Sequence, residues 1–196
     1  MRRSGVMCVL MMTLLLSACG GTGGNGPQEQ ALTIRGEYLA AKGCGARLNV
    51  TADYGQRVYT YTVDVTSTAE ELVLSVVAPK EVAGVTAHLV GGDSRLEYDA
   101  AVLETGPLAL DGLTPLDAVP ALLETARSGF MDSCAVELLG EQETLRVAYL
   151  DPDIPAGQGR QTNLWFDAQT HAMLQGEILM DGYRVILCEF EQFALN

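Results

Sequence analysis

Through most of this chain, apolar and polar residues alternate in short runs closed by tight turns. Leu48, Val50, Ala52 and Tyr54 fall on one side of residues 46–54, with Arg47, Asn49, Thr51 and Asp53 on the other. After Gly55-Gln56, Tyr59, Tyr61, Val63 and Val65 alternate with Thr60, Thr62, Asp64 and Thr66. A period of two is that of a β-strand, and two such runs around a tight turn predict a hairpin. Residues 72–78 are apolar on both faces apart from Ser75 and stop at Pro79, which predicts a central strand covered on both sides. Residues 85–90 and 95–98 flank Gly91-Gly92-Asp93-Ser94 as a second hairpin, and 101–105 form a further short strand. Residues 136–139, 145–150, 162–167, 172–180 and 183–193 continue the pattern, with a loop at 151–159 and a hairpin turn at Asp181-Gly182.

The period changes to the helical one twice. In residues 28–41, Leu32, Tyr38 and Leu39 recur at roughly helical spacing, and Gly43 and Gly45 stop the run. Further on, Thr114 suits an N-cap with Pro115 at the first helical position. Leu116, Val119, Leu122, Leu123, Ala126 and Phe130 then recur at spacings of three and four, Pro120 falls early enough to be tolerated, and Gly129 ends the helix. Roughly ten strands joined by short links exceed what a flat sheet holds comfortably. The expected fold is mainly β (α+β): a curled antiparallel sheet or open β-barrel, with the helices burying their stripes on its concave face.

The N-terminus reads as an address. Arg2 and Arg3 precede the apolar run 6–16, broken only by Thr13. As a helix that run would be about 16 Å long, too short for a hydrocarbon core of about 30 Å. It reads as the apolar part of a secretory signal. Leu16-Ser17-Ala18-Cys19-Gly20 resembles the lipobox of bacterial lipoprotein signal peptides. That resemblance implies cleavage after residue 18 and lipidation of Cys19, with two or more acyl chains anchoring stably where one would not. Five of the seven residues 20–26 are Gly, and Pro27 follows. The expected organisation is a signal segment 1–18, a lipidated Cys19 with a flexible tether 19–27, and a folded domain 28–196. The expected location is the extracytoplasmic face of the cell membrane.

The chain has 12 Lys+Arg against 25 Asp+Glu, a net charge of −13. Such a surface repels nucleic acid, so no nucleic-acid partner is expected, and it does not favour anionic lipid by charge alone. The membrane would be reached through the anchor. Beyond Cys8 and Cys19, three cysteines remain: Cys44, Cys134 and Cys188. An odd number in an oxidising compartment leaves two readings, a Cys134–Cys188 disulfide with one spare thiol, or three small core residues. His88 and His171 lack a partner at helical spacing, and no Ser or Cys lies in a nucleophile context. Asp151-Pro152-Asp153 has hard oxygens but lacks the Gly and later Glu of a calcium loop. No clustered Cys/His set offers a zinc site. No enzyme activity, cofactor or metal is expected.

The order of elements resembles the LolA/LolB-like carrier and receptor superfamily of bacterial envelopes, over about residues 28–193. The resemblance rests on the first helix leading into the hairpin 48–65, on Ala78-Pro79-Lys80-Glu81 running to Tyr98, and on Leu164-Trp165-Phe166-Asp167-Ala168-Gln169-Thr170-His171-Ala172-Met173-Leu174. More narrowly, the chain is similar to lipid-anchored LolA-like lipoproteins of Gram-positive bacteria. The resemblance implies an open antiparallel barrel whose hydrophobic cavity, closed by helices, takes a lipid or the acyl chains of another lipoprotein. An anchored Cys19 departs from the soluble carriers and fits a receptor or sensor better than a shuttle. By alternation, the candidate cavity residues are Leu48, Val50, Tyr59, Tyr61, Val63, Leu74, Val76, Leu164 and Phe166, with Val119, Leu122, Leu123 and Ala126 as a lid. The alternative is a non-catalytic cell-envelope interaction or regulatory module whose barrel core is filled. Alternation fixes which residues share a face but does not distinguish these two.

Overall fold

A computed structural model describes residues 26–107, 111–155 and 157–196. The signal segment 1–18, Cys19 and the tether as far as residue 25 lie outside the described residues. The elements follow as α1 (Pro27–Ala40), β1 (Cys44–Asp53), β2 (Val58–Ser67), β3 (Leu72–Ala78), β4 (Thr86–Val90), β5 (Asp93–Tyr98) and β6 (Ala101–Pro107). After α2 (Pro115–Ser128) come β7 (Met131–Leu139), β8 (Gln142–Leu150), β9 (Arg160–Asp167), β10 (Met173–Met180) and β11 (Tyr183–Leu195). The fold is mainly β, as the alternation predicts, with eleven strands in one antiparallel sheet.

The strand order is β6-β5-β4-β3-β2-β1-β11-β10-β9-β8-β7. Two meanders, β1–β6 and β7–β11, therefore join along the β1–β11 seam, where Leu48 faces Phe190 and Val50 faces Cys188. The two edges, β6 and β7, are not paired with each other, so the barrel is open. Because β6 precedes α2 and β7 follows it, α2 has to cross from one edge of the sheet to the other. The sheet is curled: Leu89 on β4 and Arg160 on β9 line the same cavity of about 340 Å³. Six strand spacings separate these two strands, which in a flat sheet would be about 29 Å.

The turn expected over Gly91-Gly92-Asp93-Ser94 is only two residues long, because β5 starts at Asp93; Gly91-Gly92 and the expected Asp181-Gly182 all have positive φ (61°, 95°, 51° and 81°). That is the geometry of a turn whose twist matches antiparallel strands, and glycine adopts it without steric cost. One apolar cluster joins the sheet's concave face to both helices. α1 packs on α2, β7 and β8; α2 packs on α1, β9, β11 and β1.

Several expectations need correcting. In α1, Ala31, Ile34 and Tyr38 are buried, while Leu32 and Leu39 face solvent. Two stripes with helical spacing compete there, and the one carrying Tyr38 packs edge-on to Phe166 (5.4 Å) and stacks on Phe193 (5.7 Å). Strand β3 is not covered on both sides: Leu74 is buried on the concave face, but Val77 is exposed on the convex one. Among the described residues no second layer lies over that face, and its β-branched residues fit the pleat without burial. Phe130 lies past the end of α2 and is exposed rather than part of its stripe. Strand β7 begins at Met131, and its Val136 and Leu138 are exposed because it is an edge. The Cys134–Cys188 bridge is not formed; Cys44, Cys134 and Cys188 are free thiols. Cys134 and Cys188 do share the concave face, but β10, β9 and β8 stand between their strands. A disulfide needs Cα atoms within about 7 Å.

Candidate functional site

Helix α2 decides what the concave face can do. Thr114 caps it: its hydroxyl accepts from the Asp117 N–H (3.4 Å), while Asp117 Oδ1 accepts from the Thr114 N–H (2.8 Å) and hydroxyl (2.7 Å). Asp117 is 2% exposed. Burial pushes its carboxyl above the usual range, the Thr114 hydrogen bonds pull it back, and neighbouring Asp111 raises it again. At the other end, Gly129 takes the C-cap and Arg127 Nε donates to the Tyr38 carbonyl (3.1 Å), fixing α2 to α1. Tyr38 is in turn held through its hydroxyl, which donates to the His171 carbonyl (3.2 Å), and His171 Nδ1 meets Glu37 at 2.8 Å.

The buried stripe of α2 sits directly on the sheet. A Cβ at Gly176 on β10 would lie 2.5 Å from Leu122 Cδ1, so any larger residue there would make Leu122 shift. A Cβ at Gly112 would lie 2.4 Å from Ile178 Cδ1 and 2.9 Å from the Ala121 Cβ. Two glycines thus lie where α2 approaches the sheet and the chain before it most closely.

The candidate cavity residues are placed accordingly. Leu48, Val50, Val63, Leu74, Leu164 and Phe166 come together on the concave face, and Val119, Leu122, Leu123 and Ala126 descend onto them from α2; all are buried in one cluster. Tyr61 packs half-buried at its margin. Val76 is partly exposed, and Tyr59 is 38% exposed, its ring 6.2 Å from that of Tyr54. The side chains of α2 pack against these sheet residues in one buried cluster.

Beside α2 the apolar surface continues into the open. A groove of about 340 Å³ runs between the helix and β3–β4, with Leu72, Leu89, Ala121 and Leu123 along its length. Glu70, Glu71, Glu124 and Arg127 stand at its rim. Beyond it, register places Leu74, Ala87, Leu96 and Leu103 in one row across β3 to β6 on the same face. Leu72, Leu89, Leu96 and the groove itself were missed in the sequence reading. The signal was there, since each shares the alternation phase of Leu74 or of its cross-strand partner, but nothing local shows where a distant helix stops.

On the convex face the polar residues form ladders. Arg47 binds Asp64 through two hydrogen bonds of 2.6 Å, which holds the Asp64 carboxyl below its usual range. Trp165, 7% exposed, donates through Nε1 to Glu137 (2.6 Å) beneath the Arg146 guanidinium, 5.6 Å from the ring centre. His88 meets Glu71 at 2.6 Å. Burial raises all three thiols away from the reactive thiolate form. Among the described residues, no group of three or more His, Cys, Asp or Glu is placed to hold a metal, and no helix is long and apolar enough to cross a membrane.

The chain is thus an open, curled antiparallel sheet with two helices packed on its concave face. Among solved structures, it matches an uncharacterized conserved protein from Thermus thermophilus at 7% identity, covering 87% of this chain and 88% of that one, with a TM-score of 0.51. It also matches a LolA superfamily protein from Nitrosomonas europaea (12% identity, 85% and 93% of the two chains, TM-score 0.41). A third is the lipoprotein LppX from Mycobacterium tuberculosis (14% identity, 85% and 92%, TM-score 0.44). At these identities the likeness is one of fold. No protein-family model matches the chain, and no curated protein matches it in sequence.

Proposed function

We propose that this protein is a membrane-anchored, extracytoplasmic lipoprotein that binds a hydrophobic ligand, a lipid or the acyl chains of another lipoprotein, on the concave face of its sheet. The supporting observation is the groove along α2, where Leu72 and Leu89 extend the buried face past the edge of the helix. A chain entering there meets Leu123 first. Displacing α2 then gives it the surface of Leu48, Val50, Val63, Leu74, Leu164 and Phe166. Each CH₂ buried contributes about 0.8 kcal/mol, which offsets the loss of the helix's own apolar contacts. Anchoring through Cys19 suits a receptor or sensor held at the membrane. No step in this role requires catalysis.

The test is solvent extraction of the purified full chain followed by mass spectrometry. A non-covalently bound acyl lipid, lost on Leu89→Asp, is the expected result. An extract without lipid, together with no binding of fluorescent fatty acids, would overturn the reading. The close seating of Leu122 on Gly176 supports the other reading, a filled-core interaction or regulatory module, and that outcome would select it. The anchor is tested separately: a Cys19→Ser variant should be released to the medium, and its retention on the membrane would refute lipidation there.

A further inference from the structure

Helix α1 buries one stripe against the core and offers a second to solvent: Leu32 is 58% exposed and Leu39 61%. Arg35 and Leu39 follow Leu32 by three and seven residues, so the three share one face of the helix. Arg35 shows where that face looks, because its Nη2 donates to the Gly129 carbonyl and it lies beside Tyr149 on β8. The residue after Gly129 is Phe130, itself 54% exposed. α1 also packs on β7, the edge strand that follows, where Val136 and Leu138 are exposed. An apolar margin thus runs from α1 past Phe130 to β7. Gly36 lies between the two leucines, and a Cβ built there would meet nothing within 4 Å, so nothing among the described residues requires a glycine at that point.

The length of chain ahead of α1 says what lies nearby. The helix starts at Pro27, eight residues after Cys19. Eight residues reach at most about 28 Å whatever their conformation, and Leu39 is only about 18 Å along the helix from Pro27. With Cys19 anchored, the margin is held within that reach of a bilayer. Such confinement raises the local concentration to about the millimolar range, where a few apolar side chains are enough to hold a contact. Charge argues against a second copy as the occupant, since two chains of net charge −13 repel each other. Within the margin, the Arg35 guanidinium is committed to Gly129, and Glu37 turns to the far flank, where it meets His171 at 2.8 Å.

We propose that this margin is the surface on which the folded domain rests against the bilayer, with Leu32, Leu39 and Phe130 at the boundary between headgroups and acyl chains. The proposal rests on the reading of Cys19 as the lipid anchor. It is independent of ligand capture in the α2 groove.

Trp165 is the single tryptophan and is 7% exposed, so a tryptophan placed in the margin reads against a quiet background. The chain from Cys19 onward carries Cys134→Ser, which leaves only buried thiols in the domain. It is joined through Cys19 to a maleimide lipid in vesicles of brominated phosphatidylcholine. Leu32→Trp, Leu39→Trp and Phe130→Trp alter exposed side chains, and each should be quenched at least about threefold more than Leu103→Trp at the β6 edge, with little dependence on salt. Leu32→Gln combined with Leu39→Gln should bring the quenching of Phe130→Trp down to the level of Leu103→Trp. Equal quenching at all four positions would overturn the proposal. So would a dimer of the free chain, seen in sedimentation and lost on Leu39→Gln, which would assign the surface to a second copy. Flotation of the full chain, purified from membranes, with phosphatidylcholine vesicles reads the anchor separately. A chain that does not float overturns the anchor and this proposal together; one that floats while the four positions quench equally overturns this proposal alone.

Discussion

The two halves of the sheet carry the same alternation but have different fates. In one, the cross-strand row Cys188, Gly176, Leu164, Val147 is buried beneath the helices, and only its last member, Cys134 on the β7 edge, is partly exposed. In the other, the row Leu74, Ala87, Leu96, Leu103 begins buried and ends 61% exposed at the β6 edge. The principal helix contacts fall on β7, β8, β9, β11 and β1, and none on β3 to β6. Strand patterning is therefore not what makes a core here; the path of α2 is. It leaves an apolar face available on one side of a stable body.

The sharpest way to break this comparison is Leu122→Ala. With no space beneath Leu122 to begin with, the substitution should cost about 2–5 kcal/mol. Urea unfolding followed through Trp165, the single tryptophan, reads this directly, because that side chain lies in the covered half. A cost below about 1 kcal/mol would mean the helix is loosely seated. Hydrogen exchange extends the test to the backbone. Amides of β9 and β10 should exchange at least about a hundredfold more slowly than those of β5 and β6, since covered strands open only with the whole fold. Equal protection would erase the difference between the halves.

Smaller effects sharpen it. Thr114→Ala removes the cap of α2 and should cost about 1 kcal/mol. The pH profile should show two carboxyls acting in opposite directions. The Asp167 carboxyl, held by the backbone N–H of Thr170 first and then by those of Gln169 and the Gln142 side chain, is lowered to about 2. Its contribution is complete above the unfolded value of about 3.9 and is lost as pH falls through about 2. Asp167→Asn should flatten the stability curve across that interval. Asp117, raised chiefly by burial, contributes below the ordinary carboxyl range and loses that contribution as pH rises through its folded value. Asp117→Asn should remove a slope of the opposite sign. Leu103→Ser should change stability by less than about 0.5 kcal/mol, and a larger loss would mean that something covers the β6 edge.

Much of this was written locally. The hairpin turns, the limits of β3, the cap and stop of α2 and the inward stripe of Val119, Leu122 and Leu123 all follow from near neighbours in the chain. The exceptions are instructive. Leu32 and Leu39 satisfy helical spacing as well as Ala31, Ile34 and Tyr38 do, and only the rings of Phe166 and Phe193 choose between them. Val77 has the residue type of a covered strand, yet it is exposed on the convex face. Gly176 has no side chain to announce that Leu122 will rest on it.

Sequence alone determined the period of each segment, and hence which side chains share a face, because a strand's side chains alternate whatever surrounds it. Tertiary structure decided which of those faces are covered. That depends on a helix strung between opposite edges of an open sheet, and on how far one helix fourteen residues long can reach across eleven strands.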